Sequence, residues 1–415
     1  MREKVLLITH NFYPEIGSAG NRMKNIYQLL KDKGYEVTVL TTEASYPNKK
    51  LYDDRKFWDD DSLNQDKNIH RVSVTNRKYS TSMFNRLLYY LEVTLRMILF
   101  VLFDRKKYET VFVSSPPIFI GLVGVIAKIK YSAKLILDIR DLWPESLKGV
   151  GVFNYKPIIW LFSLFERFLY HRANHIVVNS LAFIDYIHLR SNKSKEQIKF
   201  IPNAARFSEL SIENKESSND FKVIYTGNLG LAQDVEFLKK LAVQLNQYKI
   251  HMNIVGYGVK RTELVEFVKM NQLDYVGFIK PTIREECLKI NTQHDVALVS
   301  LEDKEVFDTV LPGKIIDYMI TGLPLIASTS GYSKYIIEKY EVGYVSEKRD
   351  VDEIINSIIT LKNNENIRKQ MSMNGKKLIN SQFLWEENIE VLIDVIESRD
   401  QYQYQFNKQL GKKYG

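Results

Sequence analysis

The chain alternates short apolar runs with longer segments in which apolar residues recur every three or four positions. The runs predict buried strands, and the longer segments predict helices with one packed side. In the first half the predicted strands are VLLIT (5–9), EVTVLTT (36–42), TVFVSS (110–115), KLILDI (134–139), HIVVNS (175–180) and IKFIP (198–202). In the second half they are FKVIYTG (221–227), HMNIVG (251–256), TQHDVALVS (292–300), GLPLIAS (322–328) and VGYVS (342–346). This alternation predicts an α/β fold with parallel sheets.

A polar break without any apolar run, RFSELSIENKESSND, separates the two series of strands. We predict a linker there, at 206–220, between Rossmann-like domains at 1–205 and 221–382. The 415 residues suit two domains of about 200 residues each. An amphipathic final helix at 383–400 can cross back to the first domain. A polar tail at 401–415 follows it, and the polar, aromatic segment 45–68 predicts a long loop.

Charge and cysteine content narrow the possible partners. The net charge of +8 is spread along the chain, and no nucleic-acid-binding motif accompanies it. Anionic lipid and phosphate-bearing substrates therefore explain the basic balance better than nucleic acid does. The single cysteine, Cys287, cannot form an intrachain disulfide, which favours a reducing, cytoplasmic location.

The longest apolar stretch, LLYYLEVTLRMILFVLF at 87–103, is at the short limit for spanning a bilayer. It contains Glu92 and Arg96, which would be costly at mid-membrane. Basic residues flank it on both sides: Arg71, Arg77, Lys78, Arg86, Arg105, Lys106 and Lys107. We expect a helix that rests on the inner face of a membrane, with a plain core helix as the alternative. The aromatic-rich segment 156–172 fits either interpretation equally well.

Two loops of the first half follow predicted strands, where ligands of parallel sheets bind. The first, HNFYPEIGSAGNR, contains His10, Gly17 and Gly20, and its glycines permit either a tight structural turn or contact with a phosphate or sugar. The second is DIRDLWPE at 138–145. Its Asp141 could accept sugar hydroxyls and its Trp143 could stack on a sugar ring. The structural alternative is an ion pair between Asp138 and Arg140, with Asp141 capping the next turn.

Three segments of the second half suggest an anion site. YTGNLG and VGYGVKR place glycines directly after strands, and Lys260 and Arg261 begin a helix, where cations are unfavourable unless an anion lies nearby. TVLPGKIIDYMITGLPLI opens another helix at Gly313, with Lys314 in its first turn and Asp317 one turn later. A helix N-terminus and a lysine can hold a diphosphate, and the carboxylate can take ribose hydroxyls. Asp317 could alternatively be a surface residue.

The order and spacing of these motifs resemble family 4 glycosyltransferases of the GT-B fold, especially those of bacterial polysaccharide and O-antigen clusters. The resemblance extends over nearly the whole chain and rests on NFYPEIGSAGNR, GYEVTVLTT, DIRDLWPES, RANHIVVNS with IPNA, YTGNLGLAQDVEFL, VGYGVKRTEL, VGFI and TVLPGKIIDYMITGLPLIAS. It implies two Rossmann-like domains facing a cleft. It also implies a retaining transfer without metal or other cofactor, from a nucleotide-sugar donor, with UDP preferred, to a lipid-linked saccharide acceptor.

The resemblance also implies site residues. Asp317 matches the second, ribose-binding glutamate of the family's glutamate pair, and the first falls at Thr309. The family's arginine and lysine after the first strand of the second domain fall at Asn228 and Gln233. Donor contacts are expected at Gly17, Asn228, Gly230, Lys260, Arg261, Phe278, Ile279, Thr309, Gly313 and Asp317, and catalytic contacts at Asp141, His10 and Lys314. Acceptor or cleft contacts are expected at Gly20, Arg140, Trp143 and Asn203.

Other functions stay open at this point. A sugar-nucleotide 2-epimerase shares the architecture and would form epimers without an acceptor. A non-catalytic protein that binds sugar nucleotides or lipid would fit the missing glutamate and basic residues. An NAD-dependent dehydrogenase is disfavoured, because no G-x-G-x-x-G sequence follows either opening strand.

Overall fold

The computed structural model describes residues 3–74, 83–149, 155–212 and 220–397. The chain forms two compact units, of which the first takes residues up to Pro202 together with those from Glu386 onward, and the second is Asn203–Trp385. Both Arg77 and Lys78, the 213–219 part of the predicted linker and the predicted tail lie outside the described residues.

The first unit is built on a parallel sheet with the strand order β3-β2-β1-β4-β5-β6-β7. Its strands are β1 (Lys4–Ile8), β2 (Glu36–Thr42), β3 (Ile69–Val72), β4 (Thr110–Ser115), β5 (Lys134–Ile139), β6 (His175–Val178) and β7 (Ile198–Phe200). Its helices are α1 (Ser18–Asp32), α2 (Asp61–Asn64), α3 (Met83–Phe103), α4 (Ile118–Tyr131), α5 (Glu145–Gly149), α6 (Lys156–Arg172) and α7 (Phe183–Arg190). The chain builds outward from β1 on one side and then returns to β4 on the other, so the order reverses between β1 and β4.

The segment 45–68 is not the long loop that its composition predicts. It contains two 3₁₀ helices, Lys49–Asp53 and Arg55–Phe57, and then helix α2. The edge strand β3 begins directly after this segment. The sequence does not reveal β3 because this strand has four residues, and all of them are only half-buried. A half-buried edge strand needs no continuous apolar run.

The second unit is built on a parallel sheet with the strand order β10-β9-β8-β11-β12-β13. Its strands are β8 (Lys222–Asn228), β9 (His251–Tyr257), β10 (Val276–Ile279), β11 (Val296–Ser300), β12 (Leu325–Ser328) and β13 (Gly343–Ser346). Its helices are α8 (Val235–Gln247), α9 (Arg261–Met270), α10 (Arg284–Asn291), α11 (Gly313–Ile320), α12 (Gly331–Lys339), α13 (Val351–Asn363) and α14 (Glu365–Gln382). The two sheets confirm the predicted fold class of paired Rossmann-like units.

The last helix, α15 (Trp385–Ile396), belongs with the first unit, as its amphipathic pattern allowed. Its Glu390 pairs with Lys33 at the end of α1. The ammonium of Lys134 donates to the main-chain carbonyl oxygens of Val395, at 3.1 Å, and of Ile396, at 2.5 Å. A cation at these last carbonyls stabilises the C-terminal end of the helix.

The apolar helix α3 is two-sided. It buries Tyr89, Val93, Met97 and Val101 against the first unit and exposes a second apolar stripe, whose members are Leu91, Leu95, Leu99, Leu102 and Phe103. Glu92 and Arg96 form an ion pair with a 3.0 Å separation, one turn apart. In the part of the chain that the structure describes, no helix has both the length and the apolar character needed to cross a membrane.

Candidate functional site

The second sheet reverses its strand order beside β8. The chain leaves β8 for β9 and β10 on one side and returns to β11 on the other. A reversal of this kind separates the loops that follow the two central strands, and ligands of parallel sheets bind in the resulting crevice at the carboxyl ends. Helix α11, which follows β11, lies next to this point, because the main-chain N–H of Thr226 in β8 donates to the Tyr318 hydroxyl at 2.7 Å.

Lys314 extends from the first turn of α11 over β8. Its ammonium lies 3.8 Å from the centre of the Tyr225 ring, and the nitrogen is buried without a hydrogen-bond partner among the described residues. Gly227, with φ of 117°, leaves the space beside the ammonium open, since a Cβ there would lie 3.6 Å from Nζ. Burial lowers the pKa of Lys314 to about 7. A buried ammonium without hydrogen bonds, at the positive end of a helix, is unfavourable until an anion binds.

Asn228 ends β8 and closes the side of this crevice. Its amide fits between two glycines, because a Cβ on Gly230 would lie 2.8 Å from its Nδ2 and one on Gly258 would lie 2.4 Å from its Oδ1. The Oδ1 atom is buried and has no hydrogen-bond partner within the described ranges. The loops after β8 and β9 are joined by a 3.0 Å hydrogen bond from the main-chain N–H of Lys260 to the Leu229 carbonyl. The structure therefore brings Asn228, Gly230 and Lys260 together.

Lys260 and Arg261 differ in how their charges are used. Lys260 caps the start of α9, and its ammonium pairs with Glu302 at 3.0 Å, so its charge is already balanced. The Arg261 guanidinium lies 5.7 Å from the centre of the Phe278 ring, and its Nε is buried without a hydrogen bond to any described residue. Phe278 and Ile279 are the last residues of β10. Arg261 therefore offers a cation near β10 that a ligand can contact.

Asp317 lies one turn after Lys314 and is bound by an arginine that sequence reasoning missed. The Arg284 guanidinium, at the start of α10, donates to Asp317 Oδ1 at 2.7 Å through Nη1 and to Glu209 at 2.5 Å through Nε. Burial raises the pKa of Asp317, and the charge of Arg284 opposes this. No sequence pattern identifies Arg284, because the three residues come from segments far apart in the chain.

Thr309 ends a 3₁₀ helix, Glu305–Thr309, and its hydroxyl donates to the Val306 carbonyl at 2.9 Å. The neighbouring Asp308 accepts a 2.5 Å hydrogen bond from the Ser330 hydroxyl at the start of α12. Asp308 therefore holds the 3₁₀ helix against the start of α12.

In the first unit, His10 lies beyond β1, beside the reversal between β1 and β4. Its Nε2 is 3.2 Å from the hydroxyl of Tyr89 in α3. Burial lowers the pKa of His10 to about 4, with a smaller contribution from the charge of Arg140. The imidazole is therefore neutral at pH 7, and it suits hydrogen bonding to a hydroxyl rather than binding of an anion.

Gly17 and Gly20 shape the start of α1. Gly17 precedes the helix with φ of 114°, and a Cβ on Gly20 would lie 2.4 Å from the Glu15 carbonyl oxygen. Glu15 is buried, and its carboxylate accepts hydrogen bonds from the main-chain N–H groups of Ser45 and Tyr46 at 2.7 and 2.9 Å. These contacts are a structural reason for both glycines, while ligand contact by the loop remains a prediction.

The loop after β5 depends on a buried ion pair that the sequence analysis did not anticipate. Arg22 of α1 donates to Asp138 at 2.7 Å, and both side chains are fully buried. Arg140 lies farther from Asp138, at 3.9 Å, and instead donates to the Ser114 hydroxyl at 2.7 Å and the Pro116 carbonyl at 2.9 Å. The Asp138–Arg140 ion pair, which the sequence offered as the structural alternative, is therefore the weaker contact of Asp138. An aspartate within the buried run KLILDI was the signal for a hidden cationic partner.

Asp141 and Trp143 follow this pair. Burial raises the pKa of Asp141 to about 6, and the charge of Arg140 opposes the rise. The Trp143 ring packs 6.1 Å from the ring of Phe162 in α6, centre to centre. His10, Arg140 and Asp141 are therefore electrostatic neighbours in the first unit, whereas Asn203 is the first residue of the second unit.

Comparison with known proteins places both units in described families. The family model for a glycosyl transferase 4-like domain matches residues 17–204, and the model for glycosyl transferases group 1 matches residues 207–378. Together the two matches cover most of the chain, with the divide between them close to the boundary of the two units.

Individual relatives are distant but extend over most of the chain. A putative colanic acid biosynthesis glycosyl transferase, WcaI of Escherichia coli K12, is 21% identical over 80% of this chain and 84% of its own length. The capsular polysaccharide biosynthesis glycosyltransferase CapM of Staphylococcus aureus is 24% identical over 72% and 79%, respectively. HepE of Anabaena, whose structure contains UDP and glucose, superposes with a TM-score of 0.67 at 14% identity, covering 96% of this chain and all of its own.

Proposed function

Because the chain belongs to the family 4 glycosyltransferases, which have the GT-B fold, we propose that it transfers a sugar from a UDP-sugar with retention of anomeric configuration. The acceptor is a lipid-linked saccharide in surface polysaccharide synthesis, and the transferred group is a hexosyl or N-acetylhexosaminyl residue. The names of WcaI and CapM support this pathway, and the UDP and glucose in HepE support the donor.

The buried ammonium of Lys314 is the observation that carries this proposal. It has no hydrogen bond within the described residues, it lies at the N-terminal end of α11, and it faces the glycine-lined end of β8. A diphosphate supplies the negative charge and oxygen acceptors that this position lacks. Arg261 supplies a second cation from the next loop, whereas Lys260 is balanced by Glu302 and holds the loop in place.

In the proposed reaction, the bond between the anomeric carbon and the diphosphate breaks, and the acceptor oxygen bonds to that carbon on the same face, which retains the configuration. An oxygen of the leaving diphosphate takes the proton of the acceptor hydroxyl. Lys314 and Arg261 stabilise the developing negative charge, and loss of one such donor typically costs about 10²–10³ in rate. Asp317 accepts from the ribose, and the end of β10 contacts the base. Asp141 and the neutral His10 orient sugar hydroxyls. No metal is required in this scheme.

Sugar nucleotides should be screened against the purified protein by thermal shift, since a ligand that binds the folded state raises the melting temperature. We expect stabilisation by UDP and by one UDP-sugar, and its loss in Asp317→Ala. Turnover with lipid-linked acceptors should continue in EDTA, and NMR of the product should show the donor's anomeric configuration. Epimer formation without acceptor would support an epimerase, and donor binding without any turnover would support a non-catalytic protein.

We also propose that the enzyme works on an anionic membrane through one face of the first unit. Helices α3, α4 and α6 contact one another in sequence and form one layer. The layer exposes a set of large apolar side chains: Leu91, Leu95, Leu99, Leu102, Phe103, Ile129, Trp160, Leu161, Leu164 and Phe168. The exposed Arg105, Lys106 and Lys107 follow α3. Each basic residue near an anionic surface adds about 1 kcal/mol of attraction.

Co-sedimentation with phosphatidylglycerol vesicles tests this surface. Changing Leu95, Leu99 and Leu102 together to serine should abolish most of the binding, because it removes apolar area that enters the interface. The matched control changes Met270 and Met373 to serine, since these two exposed apolar residues belong to the second unit. Equal binding by both variants would show that the α3 stripe does not contact the membrane.

A further inference from the structure

Arg284 holds together two carboxylates from distant parts of the second unit. Its Nε and Nη2 donate to the two oxygens of Glu209, at 2.5 and 3.1 Å, and its Nη1 donates to Asp317 Oδ1 at 2.7 Å. Glu209 lies in the 3₁₀ helix Phe207–Ser211, near the start of the unit, and Asp317 lies in α11. The guanidinium therefore links the beginning of the unit to the helix that carries Lys314.

This geometry leaves the guanidinium little freedom. A two-pronged contact with a carboxylate fixes the plane of an arginine side chain. Glu209 is itself fixed, because its Oε2 accepts a 3.0 Å hydrogen bond from the main-chain N–H of Arg206. The remaining donor of the guanidinium, Nη1, then fixes the orientation of the Asp317 carboxylate, with Oδ1 turned toward Arg284. The Asp317 side chain is 31% exposed, so the carboxylate is not closed off from a ligand.

Among the charges around Asp317, that of Arg284 favours the ionised carboxylate most strongly. Burial raises the pKa of Asp317, and the charge of Glu209 on the preceding segment adds to this rise. Arg284 and, to a lesser extent, Lys314 lower the pKa. Cys287 of α10 and Tyr318 of α11 are further titratable neighbours. Burial raises the pKa of the Cys287 thiol to about 12 and raises the pKa of the Tyr318 hydroxyl above its usual value, so both stay neutral near pH 7.

We propose that Arg284, held by Glu209, is the positioning residue of the nucleotide site, which fixes Asp317 so that its second oxygen accepts from the ribose hydroxyls. This inference rests on the proposed function, because the ligand is taken to be a nucleoside diphosphate. It explains how a shorter aspartate serves where the family has a glutamate. Arg284 holds the carboxylate of the shorter side chain in an orientation that the side chain alone would not keep.

UDP binding by the full-length protein tests this role. We expect Arg284→Met to bind UDP about 10- to 100-fold more weakly, which is the usual effect of losing a hydrogen bond to a charged group. Arg284→Lys should restore part of the affinity, because the shorter cation keeps the charge beside Asp317 but cannot reproduce the three-donor geometry. Arg368→Met, which removes an arginine that donates to the Leu361 and Lys362 carbonyls elsewhere in the unit, is the control.

A second ligand separates positioning from a general structural effect. The unaltered protein should prefer UDP over 2′,3′-dideoxyuridine diphosphate, and Arg284→Met should lose this preference. Glu209→Gln should show the same changes at smaller size, and it keeps the test available if the arginine variant fails to fold. Equal weakening of both ligands, or a UDP affinity like that of the unaltered protein, would overturn the inference. If the unaltered protein does not bind UDP, the proposed function itself fails.

Discussion

Replacing Lys314 by methionine should make the empty protein more stable while damaging its ability to bind nucleotide. Burial lowers the pKa of this lysine from 10.5 to about 7. Since one unit of pKa corresponds to about 1.4 kcal/mol, the charged form costs the empty protein about 5 kcal/mol. Contact of the ammonium with the Tyr225 ring, 3.8 Å away, returns about 1–2 kcal/mol. The net gain for methionine is about 3 kcal/mol, or about 6–12 °C in the melting temperature of the second unit.

The gain should depend on pH in a defined direction. Between pH 7 and 10.5 the unfolded chain binds a proton at Lys314 that the folded protein does not, so stability rises with pH in this window. The penalty is fully present below about pH 7, and it disappears as the pH approaches 10.5. Methionine removes this contribution, and the advantage of the variant should therefore shrink in alkaline buffer.

Scanning calorimetry at about pH 6.5 and about pH 9.5, with and without UDP, measures both effects. UDP should stabilise the unaltered protein and leave the variant nearly unchanged, because a lost charge contact of this kind is worth about 3 kcal/mol. Lys339→Met is the control, since that exposed lysine also lies over a tyrosine ring, at 5.0 Å from Tyr335, but keeps its charge. A variant at Lys314 that melts lower than the unaltered protein, or that binds UDP equally well, would refute the electrostatic account.

Three further changes probe the first unit. Arg22→Met should lower the stability of the first unit by about 3–5 kcal/mol, because the Asp138 carboxylate then stays buried without its ion-pair partner. Chemical denaturation measures this loss, and a value under about 1 kcal/mol would contradict the prediction. Activity should fall as the pH drops through about 6, where Asp141 protonates, and Asp141→Asn should abolish this acid limb of the rate profile while lowering the rate at neutral pH. Gly20→Ala should cost about 1–3 kcal/mol through its clash with the Glu15 carbonyl; thermal melting measures this, and an unchanged melting temperature would contradict it.

The repeated β-α pattern could be predicted from the sequence because buried parallel strands are continuous apolar runs. The strands β3 and β10 were not predicted, since they are edge strands with mostly half-buried residues. An edge strand has one neighbour and can carry polar residues, so its periodicity is weak. The boundaries of the strands that were predicted differ from those in the structure by at most four residues, and strand β11 shows the widest difference.

The sequence predicted which loops form the candidate site, because ligands bind at the carboxyl ends of parallel strands. It did not predict which side chains pair with one another in these loops. Arg284 reaches Asp317 only after α10 and α11 have packed, and Arg22 reaches Asp138 only after α1 has crossed the sheet. Similarly, the sequence did not show that Lys260 pairs with Glu302 once the chain has folded.

The return of α15 to the first unit means that no single cut yields both halves intact. A fragment ending at residue 205 would leave bare the apolar surface that Ile389, Leu392 and Ile396 cover in the full chain. The segment that enters the second unit and the segment that leaves it are also hydrogen-bonded to each other, because Ala205 and Leu384 form a parallel bridge. Expression of the second unit alone should therefore span Asn203–Trp385, and the first unit needs the final helix supplied as a separate peptide or through circular permutation.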